Sequence, residues 1–74
     1  MQHAPFNWTK PPGIADDQHL CEWMGLILWA EPTGEWRVNR MQGGHHAIVL
    51  STHEHQRPGK NLGEAQRMAQ AAAM

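Results

Sequence analysis

The clearest periodic signal lies at Trp36-Arg37-Val38-Asn39-Arg40, where apolar and polar side chains alternate with period two, the pattern of a strand with one face on a core. Before it, Leu20 to Ala30 is a nearly continuous apolar run that periodicity alone does not assign to strand or helix. Context favours a strand, because Glu31-Pro32-Thr33-Gly34 puts Pro and Gly at turn positions and a β-hairpin accounts for both flanks at once. Gln42-Gly43-Gly44 then reads as a second tight turn, and His45-His46-Ala47-Ile48-Val49-Leu50-Ser51 as a third strand. Residues 52–60 are polar and turn-prone. They lead to Asn61, a good N-cap with Glu64 three residues on, and to Leu62, Ala65, Met68 or Ala69, and Ala72 at the spacing of one buried helical stripe. The pattern predicts an α+β fold: a three-stranded antiparallel meander over about residues 22–51, packed against one C-terminal helix over about residues 62–73.

Residues 1–15 contain Pro5, Pro11, Pro12 and Gly13 with two isolated aromatics, Phe6 and Trp8. Proline at that density excludes a helix or a central strand, so this segment is expected as an extended arm, either loose or tied down by its aromatics. Asp16 and Asp17 are placed to cap a short turn before Leu20. Residues 16–74 then form a single small domain.

The strand of Trp36 has one apolar row, Trp36 and Val38, and one polar row, Arg37 and Asn39. The strand before it is apolar on both: Trp23, Ile27 and Trp29 on one side, Met24, Leu26 and Leu28 on the other. Loop length decides which row joins the core, since a slip of one residue exchanges faces. A four-residue loop pairs Trp29 with Trp36 and Ile27 with Val38; a five-residue loop pairs Ala30 with Trp36 and Leu28 with Val38. The four-residue loop is preferred here because it brings the tryptophans together. One helix covers one face, so an apolar strip is left over for the arm or for a partner. With the preferred register the interface candidates are Leu26, Leu28, Arg37, Asn39 and Arg40.

Composition narrows the classes. Seventy-four residues hold one small core, which excludes a multidomain enzyme. A single cysteine, Cys21, makes no internal disulfide, and a reducing compartment fits best. The N-terminus lacks a signal-peptide pattern, and no apolar stretch approaches the roughly 20 residues of a membrane span, so the expectation is a soluble cytoplasmic protein without a membrane role. Net charge is −1, but residues 1–36 set one lysine against five carboxylates while residues 37–74 set five cations against two. The basic half is too sparse for the dense patch typical of nucleic-acid binding.

Histidine is the one residue type dense enough to suggest a site. His53 and His55, one residue apart on a strand, would point the same way, with His46 or Glu54 nearby as a further zinc ligand, although no second ligand pair stands at metal-site spacing. Neither a metal nor another cofactor is therefore expected. His19-Leu20-Cys21-Glu22 contains the residue types of a nucleophilic triad, yet adjacency in sequence is not that arrangement in space. Gly43-Gly44 leads into a strand pattern, whereas a phosphate loop opens a helix. No small-molecule substrate is indicated, and no enzymatic activity is expected.

Trp29, Trp36, Arg37 and Arg40 are the ingredients of a platform for stacking single-stranded nucleic acid. Three strands followed by a helix also resemble, in topology, the second part of a double-stranded-RNA-binding domain, with Lys60 and Arg67 in place of that domain's lysine-rich helix start. A tryptophan-bearing hairpin, a third strand and a Glu-Ala-Gln-Arg-Met-Ala-Gln-Ala-Ala-Ala helix, over residues 22–73, resemble small phage and prophage accessory proteins. That resemblance implies an inhibitor or accessory protein that occupies a macromolecular surface. The expectation is a non-enzymatic binding protein with a protein partner or self-association, and a nucleic-acid module as the alternative.

Overall fold

A computed structural model describes residues 5–10, 18–42 and 46–74, with the side chains of Gln42 and His46 outside the description. The expected turn at Asp16-Asp17, the prolines at 11 and 12, and the Gly43-Gly44 turn lie outside the described residues. Four strands, β1 (His19–Trp23), β2 (Leu26–Ala30), β3 (Trp36–Gln42) and β4 (His46–Thr52), precede one helix, α1 (Leu62–Ala73). The sheet is antiparallel throughout, in the order β1-β2-β3-β4. The fold is therefore α+β with a C-terminal helix, as its sequence implies, but with four strands in place of three.

The additional strand comes from a break in the apolar run. Met24 and Gly25 both have positive φ, 47° and 81°, and Trp23 pairs with Leu26. Two loop residues with positive φ are the requirement of a type I′ hairpin, whose twist matches that of the strands it joins. An eleven-residue apolar segment with a glycine in its middle is thus a hairpin and not one long strand.

The β2–β3 hairpin corrects the register. Ala30 pairs with Trp36, Leu28 with Val38 and Leu26 with Arg40, so the connection is the five-residue one. Turn chemistry decides it. The Gly34 N–H donates to the Glu31 carbonyl at 2.9 Å and the Glu31 N–H to the Glu35 carbonyl at 2.9 Å. Pro32 follows Glu31 in the turn, and Gly34 takes the left-handed position at φ 96°. A turn closed by a glycine of positive φ needs Glu31 opposite Glu35, and the tryptophan pairing gives way to it.

Leu28, Ala30, Trp36 and Val38 consequently form the core with Cys21 and Trp23 from β1 and Ala65 and Ala69 from the helix. Both helix residues belong to the expected stripe, and their small side chains let the helix lie close on the sheet. Asn61 caps it, its Oδ1 accepting from the Glu64 N–H at 2.9 Å. Gly59 fits against the helix start, where a Cβ would come within 2.6 Å of the Ala65 nitrogen, and its N–H donates to the Gly34 carbonyl at 2.8 Å. The hairpin loop and the helix entry are thereby joined.

The arm is tied down. Thr9 and Leu20 exchange two backbone hydrogen bonds of 2.8 Å, which extends the sheet past β1. Phe6 stacks on Trp23 at 4.5 Å between ring centroids, and the Trp8 Nε1–H donates to Gln70 Oε1 at 2.7 Å. The aromatics therefore cover the helix side of the sheet, and Asn7 and Thr9 turn the other way. No helix among the described residues is long and apolar enough to cross a membrane.

Candidate binding face

The face opposite the helix carries Leu20 and Glu22 from β1, Ile27 and Trp29 from β2, and Arg37 and Asn39 from β3, by the alternation of the strands and their register. Neither the helix nor the arm's aromatics reach it. Trp29 stands directly across from Arg37, with the guanidinium carbon over the indole at 5.5 Å from the ring centroid. This cation–π contact is worth about 0.5–1 kcal/mol where solvent has access.

Beside that pair, Ile27 faces Asn39. Arg37 Nε and Asn39 Oδ1 are both shielded from solvent, and neither has a hydrogen-bond partner among the described residues. A shielded donor or acceptor left unpaired costs roughly 1–3 kcal/mol, so any rearrangement that pairs it is favoured. Toward β1 the face dips into an open cavity of about 370 Å³ lined by Asn7, Thr9, Leu20, Glu22 and Ile27. Its lining combines two aliphatic side chains, Leu20 and Ile27, with the polar Asn7, Thr9 and Glu22.

The residues singled out from the sequence fall in different places. Leu28 is fully buried and Leu26 packs, half-buried, against the core, so the expected strip of Leu26 and Leu28 is not the open one. The five-residue loop exchanged the rows. Arg37 and Asn39 are on the open face; Arg40, opposite Leu26, is exposed but belongs to the helix side. Trp36 is in the core, its Nε1–H donating to the Arg57 carbonyl at 2.8 Å. Of the four residues of the nucleic-acid platform, the fold brings together only Trp29 and Arg37.

The histidines do not form the expected strand pair. Thr52 ends β4, and its carbonyl accepts from the N–H groups of both His55 and Gln56, at 3.0 and 3.2 Å, which winds residues 53–55 into a turn and removes the alternation. His53 Nδ1 lies 2.9 Å from the Trp36 carbonyl, committed to the backbone, while His55 is exposed. Among the described residues no three His, Cys, Asp or Glu side chains are grouped to hold a metal ion. Cys21 is buried, and burial pushes its thiol up from its ordinary value, against a backbone hydrogen bond with Asn7 that lowers it. A thiol held protonated is a poor nucleophile.

The preferred register puts Trp29 in the core, and only the five-residue alternative and the nucleic-acid platform put it at the surface; Glu22 is not anticipated on this face at all. The signal was present in Gly25, which ends β1 and so assigns Trp23 and Trp29 to opposite faces. No family model, curated protein or solved structure matches the chain.

Proposed function

We propose that this chain is a non-enzymatic binding protein whose working surface is the open sheet face centred on Trp29 and Arg37, and that its partner is another protein. The observation that supports the reading is the Trp29–Arg37 pair, two residue types enriched at energetic centres of protein interfaces, lying on the sheet face that, among the described residues, the helix and the arm's aromatics leave open. Charge favours a protein over a nucleic acid. Among the described residues of β1 to β3 on this face, Arg37 and Glu22 are the ionisable ones, one cation and one anion, whereas a nucleic-acid platform needs several cations along a phosphate track. The matching surface on the partner is an apolar anchor for Ile27 and the cavity beside it, flanked by a carboxylate or carbonyl that accepts from the Arg37 guanidinium.

Affinity capture from the native source, with wild type and Trp29→Ala side by side, tests this reading. A nuclease-resistant protein retained by wild type and lost from Trp29→Ala supports it. Capture that is abolished by nuclease, or that survives Trp29→Ala unchanged, counts against it.

A further inference from the structure

The two edges of the sheet are not equivalent. At β1 the edge is taken at Leu20, where Thr9 already holds the N–H and the carbonyl. At the other end β4 pairs with β3 alone and, among the described residues, has no strand on its outer side. A seven-residue strand with a free side offers a row of unpaired backbone N–H and carbonyl groups, a template that another strand fits. The usual protections of such an edge are lysine, proline or an inward charge, and His46-Ala47-Ile48-Val49-Leu50-Ser51-Thr52 has none of them. Three consecutive apolar residues stand out to solvent there: Ile48 is 38% exposed, Val49 47% and Leu50 48%. The one irregularity is a bulge that leaves Leu50 unpaired with β3, while Ala47, Ile48 and Val49 keep a regular register.

We propose that β4 pairs antiparallel with β4 of a second copy of this chain, making one continuous eight-stranded sheet. Three features select a second copy. The unpaired edge demands a strand; the strand carries no carboxylate, lysine or arginine, so self-pairing brings no like charges together. Its one titratable residue, His46, is at the strand's end and in an antiparallel self-pair about Val49 stands in register with Thr52. The Thr9–Leu20 bridge on the β1 edge, finally, hinders the head-to-tail contact that would propagate into a filament and favours the closed two-fold dimer. A two-fold axis normal to the sheet keeps both helices on one side and both Trp29 faces on the other. The inference does not depend on what the Trp29 face binds.

Sedimentation velocity over a range of micromolar concentrations, on wild type, Val49→Lys and Trp29→Ala, is the test. The expected result is a reversible dimer for wild type and Trp29→Ala, with association weakened about tenfold or more in Val49→Lys, whose lysines would meet near the axis. Val49 is well exposed, and unchanged circular dichroism verifies that the variant folds. Amide exchange of wild type gives an independent reading: protection of residues 46–49 should fall on dilution. A monomer at every concentration, an open-ended series of oligomers, a dimer unaffected by Val49→Lys, or exchange at β4 that ignores concentration would each overturn the proposal.

Discussion

Leu28 and Trp29, adjacent in β2, end on opposite faces of the sheet: Leu28 is fully buried beneath the helix, and Trp29 lies half-covered under the Arg37 guanidinium on the side the helix does not reach. That division follows from the Ala30–Trp36 pairing, and the energetics of the two side chains should follow it. Leu28→Ala should cost about 2–5 kcal/mol, since it leaves a cavity among Trp36, Val38 and Ala65. Trp29→Ala should cost about 1 kcal/mol. Urea unfolding of both variants checks the difference, and the four-residue loop would require the reverse order.

Gly34→Ala should be among the most damaging small substitutions in the chain. At φ 96° the added methyl is strained, and a Cβ there would overlap the Gly59 carbonyl, which is backbone and cannot swing aside. Strain alone amounts to about 1–3 kcal/mol, and the overlap adds to it. The thermal midpoint should drop further for Gly34→Ala than for Gly63→Ala, where the nearest atoms belong to flexible side chains at 3.5 and 3.6 Å.

Met24→Asn should stabilise. Met24 is 71% exposed and has positive φ, so it loses little contact on replacement and is relieved of a conformation that asparagine tolerates better. The gain should be about 0.5–1 kcal/mol, seen as a higher urea midpoint at unchanged slope.

Stability should fall as the solution becomes alkaline. The folded state holds the Cys21 thiol protonated beyond the point, about pH 8.5, at which an unfolded thiol releases its proton. Above that pH the unfolded chain binds fewer protons than the folded one, so the stabilisation present at neutral pH is lost as pH rises toward the folded value. Cys21→Ala should flatten this slope when unfolding free energies are compared across the alkaline range.

How far the sequence reveals this molecule depends on which signals are local. The helix was legible from Asn61, Glu64 and the alanine stripe because capping and periodicity act within a turn or two. β3 was legible from its alternation. The β2–β3 register was not, because two physical preferences competed, cross-strand tryptophans against a turn with Gly34 at positive φ, and the backbone requirement prevailed. The open face was foreseen as a surplus of apolar rows, and Arg37 and Asn39 lie on it. Its aromatic member was misassigned because that surplus passes through the register and through the Met24-Gly25 turn. Phe6-Asn7-Trp8-Thr9 alternates with period two, but only the tertiary contacts to Trp23 and Gln70 show which side it seals.

The claim that the Trp29 face is the working surface is tested most directly by photo-crosslinking in the cells that make the protein. A photoreactive residue is placed at Ile27, on the open face, and in a second variant at Arg67, exposed on the helix. The account predicts a discrete protein crosslink from position 27 and none from position 67. Crosslinks from position 67 with none from position 27 would contradict it.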